Sequence, residues 1–281
     1  MSLSVILLNY NSAHSLRSCV ESLLLQDMED MEIIVVDNAS RPDDRAAARR
    51  IAERAGALFI QNTRNLGYNG GNNVGLRIAR QHGAEFALIS NPDMLFPQRD
   101  YLSQLAATMR EDPEITVVGS DIVNLRGEHL NPQRPVRSWR DSFYWVRQIS
   151  DRIIPIPSGD YRSSHPCSIV CGSCLMVRVE PIAEMGYFDE NVFLYCEEDI
   201  LSYQMEYLGH KIYYRSDIQA VHAHRPEEKR NDGRVRHLMP SRFYFVDNYS
   251  EDGPVGRTVA KFSTALYSAL LHLNHAVKTL R

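Results

Sequence analysis

The chain has no glycine behind its first apolar run, no apolar stretch of membrane-spanning length, no excess of basic charge and only five cysteines in 281 residues. Each shortage removes a class of protein. With 35 acidic against 31 basic side chains and a net charge of −4, it lacks the basic stripe that wrapping a polyphosphate backbone needs, so no nucleic-acid partner is expected. The longest uncharged stretch near the C-terminus, Phe262 to Val277, is broken by Ser, Thr, Asn and two His and falls short of the roughly 20 apolar residues of a membrane span. The opening MSLSVILLNYNS has no basic leader and turns polar at Asn9 and Asn11, which reads as a first strand and not as a signal peptide. An odd cysteine count without an export signal points to reduced thiols in a cytoplasm. Cys167, Cys171 and Cys174 beside His165 have the composition of a zinc site, but Cys171 to Val177 reads as a buried strand whose alternation sends Cys171 and Cys174 to opposite faces. Glycine (15) and proline (13) are not in excess, and 44% hydrophobic with 23% charged residues is ordinary globular usage, which excludes a disordered chain, a collagen and a coiled coil.

What is present is a rhythm. Over the first 120 residues, short apolar runs rich in β-branched residues alternate with polar loops and segments of helical period, the pattern of an α/β fold in which helices cover a mainly parallel sheet. Strands are predicted at Ser4 to Leu8, Glu32 to Val36, Ala57 to Ile60, Phe86 to Ser90 and Ile115 to Gly119. Leu16, Val20, Leu23 and Leu24 form one helical stripe and Val74 with Ile78 another, while Pro42, Asp43 and Asp44 open a helix that Gly56 closes. From Asp121 to about Ser164 the pattern dissolves into an irregular insert carrying Trp139 and Trp145. Order resumes with a strand Ser168 to Val177, a helix from about Glu198 to Leu208, and strands Lys211 to Tyr214 and Ile218 to His222. Val259, Phe262, Leu266, Leu270 and Leu273 then recur along a basic amphipathic helix with Arg257, Lys261, Lys278 and Arg281, which suits either docking on the domain or an in-plane membrane contact through residues 257–281.

Ligands of open α/β sheets bind beyond the carboxyl ends of the strands. The residues at those positions are Asn9, Tyr10 and Asn11, then Asp37 and Asn38, then Asn91, Pro92 and Asp93. A dinucleotide site needs G-x-G-x-x-G after the first strand, where this chain has N-Y-N-S, so a dehydrogenase is excluded. The glycines come later, in Asn65, Gly67, Gly70, Gly71, Asn72, Asn73 and Gly75, opening a helix whose N-terminus favours anions. Glu197, Glu198 and Asp199 crowd like charges, which raises carboxyl pKa values and makes a better general base; a solvated helix N-terminus is the other reading.

Six blocks occur in order over residues 2 to about 224: N-Y-N-S, I-I-V-V-D-N-A-S, N-L-G-Y-N-G-G-N-N-V-G, N-P-D, F-D-E-N-V-F-L-Y-C-E-E-D and V-H. Together they resemble a family 2 glycosyltransferase of the GT-A fold, in the branch of the bacterial rhamnosyltransferases. The resemblance implies a Rossmann-like glycosyltransferase domain over residues 1–240, with a nucleotide-sugar half (1–120) and an acceptor and catalytic half (121–240), followed by a helical tail at 241–281. It implies that Asp37 faces a nucleotide base flanked by Tyr10, and that Asn9, Asn65, Gly67, Asn72 and Asn91 line the nucleotide-sugar site. Asp93, standing in N-P-D where many relatives carry D-x-D, would hold a divalent cation, Mn²⁺ or Mg²⁺, with His222; His224 shares its side if the strand continues.

By the same resemblance Glu198 occupies the catalytic-base column, and a one-residue shift would transfer the role to Asp199. The implied reaction is an inverting transfer, with dTDP-rhamnose the leading donor, UDP-sugars an alternative, and a glycan or lipid-linked acceptor such as growing lipopolysaccharide. The place is the cytoplasm or the inner face of the cell membrane. Two other classes fit parts of the pattern: a nucleotide-sugar-binding protein without turnover, and a nucleotidyltransferase, which would release pyrophosphate.

Overall fold

The computed structural model describes residues 2–134, 138–143, 159–224 and 231–279. Its centre is one sheet made of β1 (Leu3–Asn9), β2 (Met31–Asp37), β3 (Leu58–Gln61), β4 (Phe86–Ser90), β5 (Met94–Leu95), β6 (Ile115–Asn124), β7 (His165–Cys167), β8 (Cys174–Arg178) and β9 (Lys211–His222). The order is β3-β2-β1-β4-β8-β6-β9-β5, with β7 also on β9. The half from β3 to β4 is parallel, β8 is inserted antiparallel between β4 and β6, and β6 and β9 are again parallel.

The central strands β1, β2, β4, β6 and β8 form here because their apolar runs are buried on both faces. Alternate residues of β1 supply two separate cores. Leu3, Val5 and Leu7 pack with α1 (Ala13–Leu23), α2 (Pro42–Arg54) and α4 (Tyr101–Glu111), while Ile6 packs with α3 (Gly67–Gln81), α5 (Val179–Glu184) and α6 (Glu197–Tyr207). Helix α3 lies unusually close to β1, since a Cβ on Gly71 would come within 2.4 Å of Leu8 Cδ1 and one on Gly75 within 2.5 Å of Ile6 Cγ2. Gly71 and Gly75 of this motif are therefore required by helix-to-strand packing.

Several elements differ from the sequence expectation. Strand β6 continues to Asn124, so the irregular insert starts later than Asp121. The expected strand Ser168 to Val177 is regular only from Cys174, because Gly172 and Ser173 turn the chain, and the alternation argued for Cys171 does not apply. Lys211 to His222 is one strand, its interruption absorbed by a register shift against β6 at Ser120/Asp121. Helices α4 and α5 were not expected. Two further helices, α7 (Asn231–Asn248) and α8 (Pro254–Thr279), end the chain, and α7 runs through the boundary expected at residue 240. A third core of Val192, Cys196, Ile200, Phe245, Val246 and Ala260 joins them to the start of α6. Trp139 lies against the start of α8, 3.0 Å from where a Gly256 Cβ would stand, whereas Trp145 falls outside the described residues.

Candidate active site

The residues expected at the strand ends do converge on one edge of the sheet, though some are spent on the fold. Asn9 and Asp37 are register partners across β1 and β2, and both are fully buried. The Asn9 amide donates to Asp37 Oδ1 (3.0 Å), Ser40 Oγ (3.1 Å) and Asp44 Oδ1 (3.0 Å), and its oxygen accepts from Ser12. Asp37 Oδ2 takes the Ser40 N–H at 3.2 Å. In this conformation neither side chain is open to a ligand, and the pair holds the loop that presents Tyr10, which is half exposed. Asn65 is likewise committed, its oxygen accepting from Asn38 and from the Gly67 N–H, both at 2.9 Å. Gly67 has φ +78° and abuts the Phe193 carbonyl. Asn72 is the exception, because it is fully buried on α3 and neither of its amide atoms has a partner among the described residues.

Beyond β4, Asn91 is anchored by its N–H to the Ser173 carbonyl (2.8 Å), and the chain turns to place Asp93 beside the end of β9. Asp93 Oδ1 lies 3.2 Å from His222 Nε2, and Oδ2 lies 3.0 Å from His224 Nδ1. Although the strand ends at His222, His224 still reaches the same carboxylate, since the Ala223 N–H donates to the Asp93 carbonyl at 2.8 Å and holds the two segments together. Burial alone would raise the Asp93 carboxyl; the hydrogen bonds and charges of His222 and His224 outweigh it, so it sits below the usual carboxylate range. One candidate ligand atom from each of the three residues lies within 4.8 Å of the others, the one such His/Cys/Asp/Glu group found among the described residues. The cysteine cluster does not form a second such group among the described residues; burial pushes the thiols of Cys167 up to about 12, Cys171 to about 11 and Cys174 to about 12.

The acidic triplet opens α6, after Tyr195 and Cys196, which both adopt left-handed backbone (φ 75° and 66°). Two consecutive non-glycine residues in that region mark a strained turn. Glu198 Oε1 accepts the Gly172 N–H at 3.0 Å, and Tyr68 of α3 donates to the Gly172 carbonyl. With Asn69, Leu175, Phe188 and Leu201, these groups and Glu197 line a small cavity. Burial pushes the Glu198 carboxyl up, with Asp199 adding to the rise and the Gly172 N–H opposing it; Glu197 is pushed well up by burial and by the charge of Glu198. The turn Cys171–Ser173 thus binds Glu198 through Gly172 and, through Ser173, Asn91, two residues before Asp93. Asn131, fully buried in the insert, holds that turn from below, donating to the Ser120 carbonyl (2.8 Å) and accepting the Cys171 N–H (2.7 Å). Sequence reasoning passed over Tyr68, Gly172 and Asn131; Tyr68 at least was signalled by its place inside the glycine motif.

Known proteins resemble this chain in sequence and in fold. The chain is 24% identical over 249 residues to the low-salt glycan biosynthesis hexosyltransferase Agl10 of Haloferax volcanii, covering 88% of this chain and 76% of the relative. It is 21% identical over 223 residues to the uncharacterized glycosyltransferase RP339 of Rickettsia prowazekii, covering 78% of this chain and 64% of that one. Among solved structures, the mannosyltransferase PcManGT of Pyrobaculum calidifontis, in complex with GDP-Man and Mn²⁺, superposes with a TM-score of 0.60 at 22% identity over 99% of this chain and 80% of its own. S. aureus TarS residues 1–349 in complex with UDP-GlcNAc gives 0.60 at 18% identity over 90% and 68%. Residues 4–186 match the glycosyl transferase family 2 pattern, and the chain belongs to that family.

Proposed function

We propose that the chain is an inverting glycosyltransferase that moves a sugar from a nucleoside-diphosphate donor to a glycan or lipid-linked acceptor in bacterial cell-surface polysaccharide synthesis, with dTDP-rhamnose as the leading donor. The observation that carries this reading is a pair of centres tied to one turn: Ser173 holds Asn91, two residues before the carboxylate that faces two imidazoles, and Gly172 holds a buried carboxyl whose pKa is raised. Glu198 takes the proton of the acceptor hydroxyl as that oxygen attacks the anomeric carbon, and the bond from that carbon to the diphosphate oxygen breaks in line. Its upward shift suits a base that must gain a proton near neutral pH.

Asp93, His222 and His224 fit a divalent cation, because one oxygen and two nitrogen donors already face one another and the second His224 nitrogen, Nε2, is buried without a partner among the described residues. A cation held there supplies positive charge to the departing diphosphate. Two imidazoles favour Mn²⁺ over Mg²⁺, which prefers oxygen ligands. Tyr10 flanks the base on a loop braced by Asp37, and the buried, unpartnered Asn72 amide is costly to keep alone.

The described part of α8 leaves Val255, Phe262, Leu266 and Leu270 exposed, a stripe suited to lying in the face of an anionic bilayer next to a lipid-linked acceptor. No helix among the described residues is long and apolar enough to cross a membrane. We place the enzyme at the cytoplasmic face.

The test is a panel of dTDP-rhamnose, UDP-sugars and GDP-mannose with Mn²⁺ or Mg²⁺, scoring nucleoside diphosphate released with and without acceptor glycans. The expected result is release from one donor, higher with Mn²⁺ and abolished by EDTA. Pyrophosphate as product, or turnover that ignores EDTA, would overturn it.

A further inference from the structure

The base assignment leaves Asp199 beside Glu198 with no stated task, and the C-terminal helices outside the matched segment supply one. Helix α7 closes over the acidic loop through several contacts: Ser241 donates to the Leu194 carbonyl (2.7 Å), His237 stacks on Phe193 at 4.4 Å, and Tyr244 donates to Asp189 Oδ2 at 2.8 Å. Tyr249, just past the helix, donates to the same oxygen at 2.6 Å. Within this contact Arg242 is 5% exposed, packs its guanidinium 4.8 Å over the Phe245 ring, and places Nη1 3.7 Å from Asp199 Oδ2. A cation this buried needs compensating negative charge, and Asp199 provides it.

We infer that Arg242 is a positioning residue that holds Asp199 as a charged partner on the α7 side, so that of these two adjacent acids the one facing the cavity at Tyr68 and Gly172, Glu198, is the one able to act as base. The inference rests on the proposed role of Glu198. Around that carboxyl stand Tyr68 from α3, Cys171 from the turn, and Glu197 and Asp199 from α6 itself, with Arg242 from α7 behind them on Asp199. Arg242 and Asp199 together contribute no net charge to this surrounding; either one alone does.

The test is the acid limb of the pH profile of kcat/KM for four variants, each compared with the parent. Arg242→Met leaves the Asp199 charge uncompensated, which disfavours ionised Glu198 and moves the limb to higher pH by about one unit. Asp199→Asn leaves the cation uncompensated and moves it to lower pH by about the same amount. The double variant returns the limb to within a few tenths of a unit of its original position, although kcat stays reduced by lost packing. Arg242→Lys, which keeps the charge, leaves the limb in place and guards against misreading a variant that folds poorly.

A purely structural Arg242 would lower kcat without opposite shifts and without restoration in the double variant, and either result would overturn the inference. Glu198→Gln separates the two levels. If it turns over like the parent, the base assignment itself has failed; if it is inactive while the limbs do not move oppositely, only the role of Arg242 has failed.

Discussion

Gly67 joins the glycine motif to the loop before the acidic triplet, and its replacement by alanine tests that joint. Two costs arise at this position. The backbone sits at φ +78°, where an L side chain costs about 1–2 kcal/mol. The new Cβ would also stand 2.4 Å from the Phe193 carbonyl oxygen, the acceptor of the Tyr68 N–H at 2.9 Å. To regain ordinary contact that carbonyl must retreat by about 1 Å, and overpacking of this kind costs about 1–3 kcal/mol.

The expected loss of stability in Gly67→Ala is therefore about 2–5 kcal/mol. Two controls divide it. Gly83→Ala has the same backbone problem (φ +74°) with nothing within 4 Å, so about 1–2 kcal/mol of strain alone is expected there. Gly75→Ala has ordinary φ but puts its Cβ 2.5 Å from Ile6 Cγ2, so it reports crowding, partly offset by the better helix propensity of alanine. Urea denaturation of the three variants gives the partition, and turnover gives the functional part: a shift of about 1 Å in the loop before Glu197 lowers kcat by about a hundredfold in Gly67→Ala. Gly83→Ala, far from that loop, keeps its kcat. Equal stability losses at Gly67 and Gly83, with kcat unchanged at both, would refute the claim that this glycine braces the acidic loop.

Asn131→Ala removes the partner of the Cys171 N–H and of the Ser120 carbonyl at a fully buried site; a stability loss of about 2–4 kcal/mol and a reduced kcat at unchanged donor KM are expected, and a rise in KM alone would count against it. Glu197 carries a folded-state pKa above its unfolded one, so the folded protein binds more protons. Stability then falls as pH rises past the ordinary glutamate range toward the folded value. Glu197→Gln removes that penalty, so the variant should gain over the parent in urea denaturation at pH 8 and gain nothing near pH 4; equal gains at both would show that the carboxyl is not held protonated.

The parts of the molecule legible in the sequence are those set by local chemistry. Strands β1, β2 and β4 were predictable because burial on both faces demands uninterrupted apolar runs, and the place of Asp93 was predictable because polar residues after such runs lie on the binding edge, whereas His222 beside it came from the family resemblance. Asn9 and Asp37 show where that logic stops: the same donors and acceptors that suit a nucleotide suit each other once parallel pairing sets residue 9 opposite residue 37, and spacing along the chain does not reveal that register. The glycine motif was ambiguous for the same reason, since the absence of a Cβ admits a strand as readily as a phosphate, and here Leu8 and Ile6 occupy the space. Arg242 lay beyond reach altogether, because one arginine after Pro240 and Ser241 carries no local signal and gains meaning only when α7 folds over the loop before α6. The ambiguity between Glu198 and Asp199 was of this kind: two adjacent acids on one helix turn are chemically equivalent in sequence, and what separates them is a Gly172 N–H on one side and a buried guanidinium on the other, brought from 26 residues before and 43 residues after. On the proposed reading the choice of base is thus a property of the tertiary contacts, which is why charge-compensating substitutions at Arg242 and Asp199 can address it where a single deletion cannot.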